Sequence, residues 1–382
     1  MDKKKVCIVT NFSTTTNFGA LLQAYALNRT ITGLGCCTYD LYVVGDRKSK
    51  TKKLWNQIIK LRFKDIQNEI IDRIQRYKIR DQMRIRKCVM DKFRFEIPHT
   101  PECTKDDLGK LQDEYDVFIC GSDQIFRPNR LTGQLEDYYW LKMVNNGAVK
   151  ASYAASIGIS SYDSATEQQA IEYLSSFNYI SIRERSSAEY IKRITGRADV
   201  ITSIDPVFLI EKNNWLNLMK EYKINGEYIL VYMIHGTERL FQSIRDFSKI
   251  VNLKIITFPS MSYKKKLYEV GFADIEILDA DPFQFVNLIN NASYIFTDSF
   301  HGTAFSLILH KEAFVSKANE IAFSRIDNIL SLLHAYQLVI PSEGLSPMQY
   351  LKKREVDWVL SDKIILEQRE NSIQYLKKIL EA

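Results

Sequence analysis

The chain has 382 residues, 46% of them hydrophobic and 26% charged, with a formal net charge of +6. That is enough for two domains with proper cores, in the composition of a water-soluble globular protein. No apolar run approaches the roughly 18–20 residues of a bilayer span, and the short apolar strand after Met1–Lys5 is too brief for a signal-peptide core, so a cytoplasmic protein is expected.

Val6–Thr10 reads as a strand, followed by a polar loop, Asn11 to Phe18, and a helix over Gly19–Ile31 with Leu21, Leu22, Tyr25, Ala26 and Leu27 on its apolar face. This is the first strand–loop–helix of a doubly wound sheet. It lacks the Gly-x-Gly-x-x-Gly fingerprint, so no dinucleotide cofactor is indicated. The cysteines, at 7, 36, 37, 88, 103 and 120, form no Cys-x-x-Cys pair and read as reduced core thiols rather than a zinc site or disulfide framework. Residues 47–94 hold 17 Lys/Arg against 5 Asp/Glu, a local balance of +12, with Leu54, Ile58, Leu61, Ile66, Ile70 and Ile74 at helical spacing. The stretch reads as one or two amphipathic basic helices: either a solvated hairpin packed on the first domain or a surface for an anionic membrane.

Tyr115–Cys120 is a second clear strand and ends in Gly121-Ser122-Asp123-Gln124. Ala148–Ser156 is a third. Tyr179–Ile182 is short and opens into Arg183 to Ser187, before a helix over Ala188–Thr195. A second unit begins near Asp205-Pro206. Its strands are Tyr228–Ile234, Leu253–Phe258, Ala292–Phe296, Ala313–Val315 and Leu338–Ile340. Its helices are Leu240–Val251, Asp281–Asn290 and Ala304–His310, and a charged amphipathic helix, Asp362–Leu380, closes the chain. Strands alternating with helices in both halves predict two parallel α/β sheets: a Rossmann-like domain over 1–205 that carries the 47–94 insertion, and a second over 206–350. The helix within 362–380 is expected to pack back on the first.

Ligands of such sheets bind beyond the carboxyl ends of the strands, and the cleft between two such domains is the natural site. Several polar clusters fall at those ends: Asn17 to Gly19, Gly121 to Gln124, Arg183 with Arg185, His235-Gly236, and Ser299 to Thr303. In the last, His301 sits where a strand turns into a helix, flanked by Ser299, Gly302 and Thr303. Unpaired N–H groups at a helix start suit an anion, and an imidazole beside it can move a proton near neutral pH; a turn that only caps the helix fits equally well. Arg183 and Arg185 suit bidentate contacts to a carboxylate or phosphate, or a surface pairing with Glu184 and Glu189. Asp279-Ala-Asp281 has an Asp-x-Asp metal pattern but directly precedes Pro282 and a helix, where acids act as caps. His235, His310 and His334 have no ligand partners at metal spacing. Neither Gly-x-Ser-x-Gly nor a Walker phosphate loop occurs. Nothing points to nucleic acid.

Five landmarks in order resemble the polysaccharide pyruvyl transferase family over roughly residues 5–345: Asn17 to Tyr25, Gly121 to Phe126, Ser181 to Glu184, Asp205-Pro206, and Thr297 to Thr303. Asn319 to Leu333, with Ser324-Arg325-Ile326, resembles the family's closing segment. The resemblance implies two Rossmann-like domains facing a cleft, as in GT-B glycosyltransferases. It implies phosphoenolpyruvate as co-substrate, a nucleotide- or lipid-linked sugar as acceptor, and a pyruvate ketal on a surface polysaccharide as product, with no metal required. It points to His301 as the catalytic residue and to Arg183 as a substrate-binding one. Arg185, Ser299, Gly302, Thr303, Asn17, Gly19, Asp123, Gln124 and Arg325 complete the expected substrate-binding set. Some members carry Arg-Leu-His where this chain has Ser299-Phe300-His301, and Arg185 or Arg325 is the candidate for the missing cation. Two other readings stay open. One is a sugar-nucleotide glycosyltransferase on the same fold. The other is an assembly factor without turnover at the inner face of the membrane.

Overall fold

Short apolar runs alternating with amphipathic helices fold into two parallel sheets. The computed structural model describes residues 3–44, 80–129, 132–144, 147–259, 266–317 and 319–382. Most of the basic stretch, including its predicted apolar stripe from Leu54 to Ile74, lies outside them. In the first sheet β1 (Lys5–Val9), β2 (Cys37–Asp40), β3 (Val117–Gly121) and β4 (Val149–Tyr153) run in the order β2-β1-β3-β4. Bridges from Ala151 to Tyr179 and from Ala155 to Ile182 carry it on to the two-stranded pair β5 (Ser181–Ile182) and β6 (Ile201–Thr202). In the second sheet β7 (Tyr228–Tyr232), β8 (Lys254–Thr257), β9 (Ile275–Glu276), β10 (Tyr294–Thr297), β11 (Ala313–Ser316) and β12 (Val339–Ile340) run in the order β12-β11-β10-β7-β8-β9. Both orders are doubly wound. They reverse between β1 and β3 in the first sheet and between β7 and β10 in the second, and those crevices are where such sheets bind ligands.

The central strands bury both faces, as strands inside parallel sheets do, whereas the short edge strands β6 and β9 do not. Val6 and Ile8 join the large apolar cluster shared by the two halves, whereas Cys7 and Val9 point into a core on the far side of the first sheet. In the second sheet Leu230 faces the shared cluster, and Ile229 and Val231 face a third core. All six cysteines are free thiols.

The helices are α1 (Phe18–Gly33), α2 (residues 80–95), α3 (Ser164–Leu174), α4 (Arg185–Thr195), α5 (Lys212–Leu218), α6 (Glu238–Val251), α7 (Pro282–Asn291), α8 (Phe300–Ile308), α9 (Glu320–Leu332) and α10 (Trp358–Glu381). Asn17 caps α1 by accepting from the Ala20 N–H. Asp281 caps α7 in a reciprocal box with Gln284, and Asp279 accepts from the Tyr222 hydroxyl at 2.7 Å, so these two acids are spent on a helix start and a tyrosine. Several starts differ from the sequence reading: α6 and α10 begin earlier, at Glu238 and Trp358, and two others bear on the site. Helix α4 begins at Arg185 rather than Ala188, and α8 at Phe300 rather than Ala304, because Ser299 accepts from the Gly302 N–H and starts the helix early. His301 therefore lies inside the first turn of α8.

Helix α10 runs between the two halves. His310 of the second stacks on Trp358 and meets Asp362 at 2.8 Å, while Tyr375 donates to the Ser152 carbonyl of β4 at 3.0 Å. No described helix is long and apolar enough to cross a membrane.

Candidate active site at the junction of the two sheets

The segments that follow β1, β3, β5 and β10 converge. Gly19, in the first turn of α1, is the point of closest approach: a Cβ there would lie 2.1 Å from both Cγ and Nδ1 of His301. The imidazole thus lies against the start of α1, and only glycine leaves room for it. Its other nitrogen, Nε2, is buried without a hydrogen-bond partner and faces Asp205 Oδ1 at 3.8 Å. Burial lowers the His301 pKa below its ordinary value; the Asp205 and Asp123 carboxylates pull it up, and Arg183 and Arg325 push it down again. The resting imidazole is neutral at pH 7.

Asp205 is fully buried and organises the site. One oxygen accepts from the Ser122 hydroxyl at 2.8 Å and from Arg183 Nη1 at 2.7 Å; the other accepts from the Val207 N–H. Arg183, also buried, gives its Nε to Glu184 at 2.9 Å and lies 4.3 Å above the Phe300 ring. Burial alone would lower its pKa, but Glu184, Asp205 and Asp123 outweigh it and raise it. Arg183 is therefore a charge held by two carboxylates, with one donor, Nη2, left over. This changes its expected role. An arginine paired twice within the protein is a frame for the site first and an anion clamp only through Nη2.

Arg185 does not join it. The strand ends at Ile182, Arg185 opens α4, and its exposed side chain lines the outer part of an 820 Å³ cavity that Arg183 and Asp205 also line. Arg325, on α9, is the other buried cation beside these groups. It acts on His301, Asp123 and Arg183, its Nε has no partner, and burial and then Arg183 push its pKa down to about 10.

Asp123 adopts φ +68°, a left-handed conformation that aspartate tolerates better than most residues, and Asn11 donates to its carboxylate at 3.2 Å. Burial raises the Asp123 pKa, but Arg183, His301 and Arg325 together bring it below the ordinary value, so it is ionised. Gln124 accepts from Arg127 at 2.9 Å and packs against Gly158. Ser299, Thr303 and Asn17 serve the helix starts: Thr303 donates to the Ser299 carbonyl, and Ser299 and Asn17 are caps. Gly302 allows α8 to approach β10, since a Cβ would sit 2.4 Å from Thr297 Oγ1.

Asp205, Glu184 and Asn11 were not among the expected site residues. Asp205 and Glu184 stand inside two of the landmark motifs, and Asn11 opens the loop after the first strand, so a signal existed for each. Asp298 was missed as well. It accepts from the Ile234 and His235 N–H groups at 2.6 Å each, tying the two strands at the second crevice together. Among the described residues no group of three or more His, Cys, Asp or Glu could hold a metal ion.

The sequence matches the family model for polysaccharide pyruvyl transferase over residues 17–316. No curated protein matches it. Among solved structures, the UDP-GlcNAc 2-epimerase of Methanocaldococcus jannaschii is similar with a TM-score of 0.53 and 12% identity, over 95% of this chain and 92% of that one. The UDP-N-acetylglucosamine 2-epimerase of Rickettsia bellii gives 0.52 and 11%, over 99% of each chain. At such identities the likeness establishes the fold, two Rossmann-like domains in a GT-B-like arrangement. With the family match running from the cap of α1 through His301 to the end of β11, the chain belongs to the polysaccharide pyruvyl transferase family.

Proposed function

We propose that the protein transfers pyruvate from phosphoenolpyruvate to two hydroxyls of a sugar, forming a ketal in the synthesis of a bacterial surface polysaccharide. The observation that carries this is the pair of buried, unpartnered groups in one place: His301 Nε2, a proton carrier, and Arg183 Nη2, an anion donor, with Arg325 Nε nearby. Phosphoenolpyruvate needs that combination. Its methylene carbon takes a proton, the adjacent carbon becomes oxocarbenium-like, one sugar hydroxyl adds there, and the second displaces phosphate. Of the two hydroxyl protons, one ends on the new methyl group and the other on the released phosphate. His301 is the group that moves the proton to carbon. Neutral at rest, it gains its proton when the dianionic phosphate arrives and raises its pKa. Asp205 faces the imidazolium so formed.

The test is phosphate release from phosphoenolpyruvate with nucleotide-linked and lipid-linked sugars offered as acceptors. Release that depends on an acceptor, and falls about a hundredfold or more in folded His301→Ala, is expected. Turnover of sugar nucleotides without phosphoenolpyruvate would instead favour the glycosyltransferase reading. A lipid-linked acceptor would place the enzyme at the inner face of the membrane, and the basic excess of residues 47–94, apart from the buried Arg86 and Arg94, would favour anionic lipid. Co-sedimentation with anionic but not neutral vesicles, lost at high salt, is the expected signature.

A further inference from the structure

A second cavity, of about 450 Å³, also borders the α4 start and shares Ser186 and Ser324 with the first. Its wall includes Glu184, Ser160, Ser186, Ser187, Ser324 and Arg325. Glu184 is the informative member. Its carboxylate is almost entirely buried, Oε1 is taken by Arg183 Nε at 2.9 Å, and Oε2 has no partner in the protein. A buried carboxylate oxygen left bare is costly, so a ligand that fills this space must offer it a proton donor. A carboxylate or a fully deprotonated phosphoryl group has no such donor and would set oxygen against oxygen. The rest of the wall agrees, since four serine hydroxyls surround the space and Glu320 adds a second acid against the single guanidinium of Arg325.

We propose that this cavity is a carbohydrate site, in which Glu184 Oε2 accepts a hydrogen bond from a sugar hydroxyl, and that it holds the acceptor of the reaction proposed above. Its place in the reaction rests on that reading; its ligand class does not. Two links tie it to the centre. Arg325 lines the cavity and also acts on His301 and Asp123, and Glu184 is fixed by the same guanidinium that holds Asp205. A hydroxyl held on Glu184 is thereby oriented relative to the proton carrier. The cavity on the Arg183 and Asp205 side stays free for the anionic partner.

Binding of free hexoses and N-acetylhexosamines, with inorganic phosphate and pyruvate as the anionic comparison, can be read by saturation-transfer NMR and calorimetry without any turnover. At least one sugar should bind at millimolar concentration. Glu184→Gln keeps the acceptor oxygen for Arg183 and turns the free oxygen into a donor, so sugar affinity should fall on the order of tenfold. Ser160→Trp, at the exposed rim and away from the Arg183 contacts, should block the sugar and leave phosphate binding unchanged. In steady-state assays Glu184→Gln should raise KM for the acceptor more than KM for phosphoenolpyruvate. Failure of every sugar to bind, equal binding to parent and both variants, or phosphate blocked by Ser160→Trp would overturn the site. Sugar binding that behaves as expected, with no phosphate released from phosphoenolpyruvate, would leave the site standing and sink the pyruvyl reading alone.

Discussion

Gly19 occupies a helical position where alanine would ordinarily add about 1 kcal/mol of stability. Here the added methyl would meet His301 Cγ and Nδ1 at 2.1 Å. The helix gains and the site loses. Gly19→Ala is expected to leave the melting temperature within a few degrees of the parent while turnover falls at least tenfold, because His301 must be displaced. A variant that keeps full turnover would show that the imidazole has another productive position. The histidine also makes a pH prediction with a definite sign. Its folded pKa is lowered by burial, against about 6.5 when unfolded. Its contribution to stability is therefore full above the unfolded value and is lost as pH falls through the depressed folded one. Compared with His301→Asn, the parent should lose denaturant resistance as pH drops from 7 toward 5, and the two should run parallel above 7. Parallel curves over the whole range would mean that the imidazole is not held neutral. The sequence singled out His301 as a candidate catalytic residue and Gly19 as a candidate substrate-binding one. That they touch was not legible there, because nothing local links residue 19 to residue 301.

Arg183 and Arg185 show what an element boundary decides. Two residues apart in an extended strand they would share a face. The strand stops at Ile182 and α4 starts at Arg185, so one guanidinium is buried among carboxylates and the other is exposed. The sequence carried the motif but not the boundary, since Arg-Glu-Arg-Ser-Ser fits a strand end and a helix start about equally. The early start of α8 escaped for a similar reason, because Phe300 and His301 are unremarkable as helix formers while Ser299 is a good cap. Helix α9, which brings Arg325 to the site, was legible only as part of a family resemblance. From the observed geometry, Arg183→Met should destabilise the protein by about 3–5 kcal/mol, because it strands Asp205 and Glu184 without their cation. Arg183→Lys keeps the charge but cannot reach both acids with a planar fork, so it should lose part of that stability and part of the turnover. Urea unfolding separates the two. A lysine variant as stable as the parent but inactive would return Arg183 to the role of a ligand clamp.

At the scale of the whole molecule, the basic segment turns out to contain part of the joint between the domains. Of its arginines, Arg86 and Arg94 on α2 are buried, not solvated. Arg94 donates to the carbonyls of Phe12 and Thr15, in the loop after β1. Eight residues earlier, about 12 Å along the helix, Arg86 donates to the Ile277 and Leu278 carbonyls beyond β9, at 2.6 and 2.8 Å. Its guanidinium also lies 4.5 Å over the ring of Phe18, which stacks on Phe285 of α7. One helix therefore grips the first domain with one arginine and the second with another, just where α1 must meet His301. Charge counting could not reveal this, since a buried arginine and a solvated one look alike in a sequence. Hydrogen bonds to a charged group contribute about 1.5–3 kcal/mol each, and Arg86 makes two that bind the halves together. Arg86→Ala is expected to lower stability by at least about 2 kcal/mol and to reduce turnover with every acceptor, because the Gly19–His301 contact depends on domain alignment. Arg86→Lys should recover less than half of the loss, since one ammonium cannot span both carbonyls and the ring. Urea unfolding followed at two tryptophans is the deciding measurement: Trp140 reports the first core and Trp215 the junction. In Arg86→Ala the junction signal should change at lower urea than the core signal, whereas coincident transitions at the parent's midpoint would show that α2 is not the strap.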